Sequence, residues 1–313
     1  APHYAVPMLR TGIAPVTEIH AEAHATSMPV SALMHGEEFA VLDVAGEWAW
    51  GYCLHDNYLG YLRFAELGND FAATHIVSAP ATLLAAAPTT KAPVLARYPM
   101  GARLLCGELS ACGKYLACEN GFVPCTHVSK IGCVSASPAD LAEQLIGTPY
   151  SWGGRSGNAI DCSGLVQLVF GMKGHMPPRD ADMQQAEFGE ELAEGDALQR
   201  GDLVFFPGHV GIMADAENII HANGTAMAVS VEPLADAVAR FAAHDAAMLN
   251  ALGPAYAANR GAMQAYLPVL LARENQQAGA MTQVGEAANQ SGDEAAYLRW
   301  KASNASDQNG DSD

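Results

Sequence analysis

Three residues have the types and spacing for nucleophilic catalysis. Cys162 follows Asn158-Ala159-Ile160-Asp161 and precedes the apolar pairs Leu165/Val166 and Val169/Phe170, whose spacing predicts a helix opening at Asp161 or Cys162. A thiol at a helix mouth meets unpaired N–H groups and partial positive charge, which favour the thiolate and lower its pKa. A buried structural cysteine at a tight helix junction fits the same position. A cysteine nucleophile needs a base, and His209 opens the strand-like run His209-Val210-Gly211-Ile212-Met213 just after the turn Pro207-Gly208. His221 ends a further strand-like run, Asn218-Ile219-Ile220-His221. Adjacent antiparallel strands can set one imidazole beside the other, so that the second orients the first and fixes its tautomer. Either histidine alone reads as a core residue; the joint pattern points to catalysis.

The remaining cysteines are Cys53, Cys106, Cys112, Cys118, Cys125 and Cys133. No pair forms C-x-x-C, a poor zinc signature, and those from 106 to 133 read as small buried residues in strands. No metal or organic cofactor is called for. Arg155 and Arg179 suit either a substrate carboxylate or a structural salt bridge.

The elements that must hold these residues form a multi-domain chain. Residues 38–44, 47–53 and 58–62 alternate as short strands, separated by the turn signals Ala45-Gly46-Glu47 and His55-Asp56-Asn57. A weaker copy follows in 93–131, with Gly36-Glu37 mapping onto Gly101, so two tandem all-β modules are predicted. Pro138, with Leu141, Leu145 and Ile146 on one face, predicts a helix opening a new domain. Helix first and antiparallel strands after make that domain α+β. From about residue 233 the chain is Ala-rich and reads as helical through Leu270, before a polar, disordered tail at 303–313. The predicted domains are 1–72, 73–134, 135–233 and a helical C-terminal extension with its tail, 234–313.

The 313 residues carry 16 Lys+Arg against 34 Asp+Glu, a formal charge of −18. That balance repels nucleic acid and anionic polymers, so a ligand must be held by individual residues. No stretch reaches the ~20 apolar residues of a membrane span, so no membrane insertion is expected. Seven cysteines leave at least one unpaired, which favours a reducing compartment and a cytoplasmic location. Ala1-Pro2-His3-Tyr4 lacks a signal-peptide layout, although export with the signal already removed is the alternative.

Pro149-Tyr150-Ser151-Trp152-Gly153-Gly154, Asp161-Cys162-Ser163-Gly164-Leu165-Val166-Gln167, Gly201-Asp202-Leu203-Val204-Phe205-Phe206, Gly208-His209-Val210-Gly211-Ile212 and Ile220-His221-Ala222 occur in order. Together they resemble the motifs of the NlpC cell-wall peptidases, over roughly residues 138 to 233. The upstream modules resemble the bacterial SH3-like domains of the γ-D-glutamyl-L-diamino-acid endopeptidases. The resemblance implies a papain-like fold with Cys162 as nucleophile, His209 as general base and acid, and His221 as third member. It implies an oxyanion site made by the Cys162 N–H and the Tyr150 hydroxyl. Asp161, Ser163, Glu22 and Tyr58 would bind a free N-terminal amine, and Trp152 would shape the cleft. The implied substrate is L-Ala-γ-D-Glu-diamino acid released from peptidoglycan, cut after D-Glu. Two other readings use the same residues: a noncatalytic wall-binding protein with a vestigial peptidase domain, and an amidase or acyltransferase. Members of the family normally end soon after the last motif, so the C-terminal extension is a departure.

Overall fold

The computed structural model describes residues 6–193, 196–244 and 270–273. The first β unit is a seven-stranded antiparallel sheet, in the order Pro29–Met34, Val16–His20, Leu59–Arg63, Trp48–Cys53, Glu38–Ala45, Met8–Gly12 and Leu67–Gly68. Inward residues at alternate positions form its core, with Ile19, Leu33, Phe39, Ala49, Cys53 and Leu62 fully buried. Its tight turns use Gly46 and Asn57 in the left-handed region, as their sequence signals require.

The second β unit has a five-stranded and a three-stranded sheet between His75 and Lys130, with a core that includes Val77, Leu84, Leu104 and Val123. Gly101 there and Gly36 in the first unit both take positive φ, at 90° and 78°. The cysteines depart from expectation: Cys112 and Cys133 are exposed, Cys118 and Cys125 half-buried, and Cys106 buried. Cys112 and Cys133 fall outside the strands, where no inward face exists to bury them.

In the third part, helix α1 (Pro138–Glu143) starts with a reciprocal cap between Ser137 and Asp140. Helix α2 (Cys162–Gly171) lies in the core and α3 (Ala181–Glu187) follows it. Both α1 and α2 pack on an antiparallel sheet containing Leu203–Phe206, His209–Met213, Asn218–Asn223 and Ala228–Pro233 in that order. Successive strand residues divide between its faces: Leu203, Phe205, Val210 and Ile212 join the α2 core, while Val204, Phe206, Met213 and Ile219 join Ala237.

Residues 234–244 are helical. The predicted continuation to Leu270 does not hold at its end: Leu270–Arg273 is a strand, with Val204 opposite Leu271. An edge strand's free N–H and C=O groups are met by pairing, which a helix could not provide. The rest of the predicted extension, 245–269, and the polar tail, 303–313, lie outside the described residues.

Candidate functional site

Asp161 is the N-cap of α2, accepting a 2.7 Å hydrogen bond from the Gly164 N–H. Cys162 is therefore the first helical residue, only 7 % exposed. A Cβ on Gly164 would lie 2.1 Å from the Gly154 carbonyl, so only glycine lets the helix start press against the 151–154 loop. The amides of Val210 and Ser163 point at the thiol, which brings the strand opening at His209 to the nucleophile. His209 Nε2 is 2.8 Å from His221 Nδ1, both rings being buried. The predicted pairing of two histidines on neighbouring antiparallel strands is thus realised geometrically.

The thiol does not follow the helix-mouth expectation. Burial, then the nearby Asp161 charge, push Cys162 up to about 11 against the opposing Val210 and Ser163 amides and Arg179. Burial and the neighbouring His221 and Arg240 push His209 down to about 3. Tyr150 is pushed up to about 12, first by burial and then by the negative charge that Cys162 can carry, so its hydroxyl keeps its proton beside the nucleophile.

Asp161 is turned inward. Arg179 donates from Nη1 to its Oδ1 at 3.0 Å and from Nη2 to its Oδ2 at 2.6 Å. Ser163 Oγ and the Gly164 N–H also donate to Oδ1, and the Gly153 N–H to Oδ2. Arg179 further holds Ser163 Oγ and, across the domain boundary, Ser31 Oγ. Arg179 is thus a structural cation, as is Arg155, which pairs with Glu37 of the first β unit at 3.0 Å. Tyr58 reaches the same cluster, donating to Asp180 at 3.2 Å. Trp152 is 57 % exposed and lines a cavity of about 460 Å³ together with Glu18, His20, Trp48, Arg63 and Ser151. Glu22 lies apart, on an exposed turn where its carboxylate meets His24 and its N–H donates to Ser27.

Three residues were missed in the sequence. His221 Nε2 lies 2.6 Å from Glu232 Oε1, off the line of an ideal hydrogen bond. Arg240 grips the same carboxylate with both Nη atoms, Nη1 at 2.7 Å from Oε2. The Phe241 ring stacks on Phe206 and sits 4.8 Å from the His209 ring. Neither Glu232 nor Arg240 carries a local sequence signal for this contact, since one sits on a strand and the other on the helix that folds back over it. Cys53, His55 and Asp56 bring one potential ligand atom each within 4.8 Å of one another. Asp56 is already engaged by the Tyr58 N–H and Gln167 Nε2, and three donors fall short of a closed structural zinc site.

Residues 147–245 match the NlpC/P60 family, and residues 20–67 the bacterial dipeptidyl-peptidase SH3 domain. A probable endopeptidase of Haemophilus influenzae is 32 % identical over 115 residues, 34 % of this chain and 71 % of that protein. The γ-D-glutamyl-L-lysine dipeptidyl-peptidase of Bacillus subtilis is 33 % identical over 102 residues, 30 % of this chain and 34 % of that protein. The chain likewise spans 34 % of dipeptidyl-peptidase 6 of Lysinibacillus sphaericus and 54 % of a probable endopeptidase of Corynebacterium glutamicum. The fold is shared with an NlpC/P60 family protein from Bacillus cereus, with a TM-score of 0.62 at 19 % identity over 72 % of this chain and 94 % of that one. With the helix-start cysteine against the strand that opens at His209, that histidine paired with His221, and an SH3 domain bonded to Arg155, Gln167 and Arg179, the chain belongs to the NlpC/P60 family, a family of cysteine peptidases.

Proposed function

We propose that the protein is a cysteine endopeptidase that hydrolyses the γ-D-Glu–diamino acid bond of peptidoglycan-derived peptides bearing a free N-terminal L-Ala. The observation that supports this reading is the Tyr58–Asp180 contact, in which a phenol from the SH3 domain meets a half-buried carboxylate next to Arg179; in this reading the pair closes one end of the site. Relatives named for γ-D-glutamyl-L-lysine dipeptidyl-peptidase activity support it.

In this reading the Cys162 thiol passes its proton to His209 as sulfur attacks the D-Glu side-chain carbonyl. The Cys162 N–H and the protonated Tyr150 hydroxyl receive the oxyanion. His209 returns the proton to the leaving amine, and water then hydrolyses the thioester, regenerating the thiol. Asp161 acts through Arg179 and Ser163, because its own oxygens are occupied. The ammonium is taken by Asp180 with Tyr58, and the expected Glu22 contribution is set aside because that carboxylate lies on an exposed turn with His24. Trp152 walls the adjoining cavity. A glycan strand carries no ammonium at this end, so released peptides are selected over polymer. The second β unit is read as a further SH3-like barrel, and the site of action as the cytoplasm.

Cys162→Ala abolishes cleavage of L-Ala-γ-D-Glu-diaminopimelate, followed by mass spectrometry of the products; retained cleavage overturns the assignment. Acetylating the substrate amine also abolishes it. Asp180→Asn raises KM for the free-amine substrate at least tenfold while Glu22→Gln does so less, and the reverse order returns the amine site to Glu22.

A further inference from the structure

We infer that Glu232, Arg240 and Phe241 form a positioning device that fixes the tautomers of His221 and His209; the inference rests on the cysteine-peptidase reading of Cys162 and His209. His221 lies opposite Ser230 in the antiparallel ladder, and Glu232, two residues beyond Ser230, projects from the same face as its diagonal neighbour. Its Oε1 stands 2.6 Å from His221 Nε2, a nitrogen with no other partner among the described residues.

The chain of protons follows from donor and acceptor rules. An ionised carboxylate only accepts, so the Glu232 side of His221 is N–H at Nε2. A neutral imidazole carries one N–H, which leaves His221 Nδ1 as an acceptor. The 2.8 Å contact to His209 Nε2 is then a hydrogen bond donated by His209. His209 is thereby left with a bare Nδ1, the form that can take a proton from a thiol. The opposite tautomer at His221 would donate to His209 Nε2, protonate His209 Nδ1 and disable the base.

Arg240 fixes the carboxylate with both Nη atoms, and Phe241 packs against the imidazole it serves. Both lie on the helical segment 234–244, so the part of the chain just beyond the last family motif is built into the site. The charged and titratable groups facing His221 are Glu232 on the neighbouring strand, Arg240 on the helix and His209 on the strand before; Asp236 faces Arg240.

The test compares wild type, Glu232→Ala and Glu232→Gln by ¹⁵N-histidine NMR, by the pH dependence of Cys162 alkylation with iodoacetamide, and by peptide cleavage. Wild type shows Nε2-protonated, Nδ1-bare rings at both histidines. Glu232→Ala mixes the tautomers and lowers kcat on the order of 10–100-fold with KM unchanged. It also moves the imidazole-controlled limb of the alkylation profile to lower pH, because the anion favouring imidazolium is gone. Glu232→Gln, whose carbonyl still accepts, keeps the wild-type tautomers but shows the same shift of the limb. Unchanged tautomers and an unchanged pH profile in a folded Glu232→Ala overturn the inference. Wild type that alkylates at Cys162 with the expected profile yet cleaves no γ-D-Glu peptide overturns the substrate reading alone.

Discussion

Replacing Arg155 by methionine tests how the SH3 domain is fastened to the peptidase. The Arg155 and Glu37 side chains are 2 % and 3 % exposed. Arg155 Nη1 donates to Glu37 Oε2 at 3.0 Å and to the Ala32 carbonyl at 2.7 Å, and Glu37 also accepts from the Met34 N–H. Burial pushes the Glu37 carboxyl up, but Arg155, with His55 and Arg103, brings it down from 4.5 to about 2. That difference corresponds to about 3 kcal/mol, in line with the ~3–5 kcal/mol lost when one member of a buried ion pair is removed. In wild type the folded pKa lies below the unfolded one, so this contribution is complete above about pH 4.5 and is lost as pH falls toward 2. In Arg155→Met the buried carboxyl has lost its main cation and its pKa rises above 4.5; protonation then stabilises the folded variant as pH falls. Urea unfolding followed by tryptophan fluorescence at pH 8 shows the variant about 3–5 kcal/mol less stable, with the gap narrowing toward pH 5. A loss below about 1 kcal/mol, or a gap independent of pH, refutes the reasoning.

Further outcomes test other parts of the structure. Gly153 has φ +78°, and a Cβ there would lie 2.8 Å from the Pro29 carbonyl; Gly153→Ala costs about 1–3 kcal/mol, read by thermal melting, and reduces kcat because the Gly153 N–H holds Asp161. Cys106 and Cys118 are paired across antiparallel strands with sulfurs 2.9 Å apart. That proximity lets oxidised glutathione convert the two thiols to a disulfide with release of two reduced glutathiones, detected by peptide mapping. Closing that loop stabilises by about 3 kcal/mol or less, and a Cys118→Ser variant shows neither effect. His209 has a folded pKa near 3 against 6.5 ordinarily; its neutral burial is fully favourable above about pH 6.5 and is eroded as pH falls toward 3. The pH dependence of the melting temperature between pH 7 and 5 is therefore shallower in His209→Gln.

Residues governed by local rules were legible in the sequence. Cys162 follows a capping aspartate, His209 follows a Pro-Gly turn, and His221 lies in an apolar strand, so type and period sufficed to put the thiol at a helix start and to bring the two imidazoles together. Asp161 was legible as a helix cap but not as a saturated carboxylate, because its Arg179 partner arrives from a separate segment. Cys162 was read through its helix end alone, whereas burial by surrounding elements outweighs that end and raises its pKa. Glu232 offered no signal, since one glutamate on an outer strand looks solvated until Arg240 turns back over it. The strand at Leu270–Arg273 was hidden by an Ala-rich context; sheet pairing overrode local propensity there.

The buried polar contacts between the SH3 domain and the peptidase fix how the two are docked, which the proposed function requires. Arg155 reaches Glu37 and Ala32, Arg179 reaches Ser31, and Gln167 of α2 reaches Asp56 at 2.8 Å. Arg155 and Gln167 lie within seven residues of Cys162 in sequence, Arg179 bonds the Asp161 before it, and each is nearly fully buried. An apolar interface would tolerate sliding by an ångström or two, because burial is non-directional. A slide here would leave a buried guanidinium or carboxylate unpaired, at several kcal/mol for each group. The docking geometry is therefore set to within hydrogen-bond tolerance, and Tyr58, carried on the same domain, is delivered to Asp180 with comparable accuracy. Under the proposed function, selection of a substrate ammonium by that pair needs this accuracy, since a charge-assisted contact weakens steeply once its partners are misplaced.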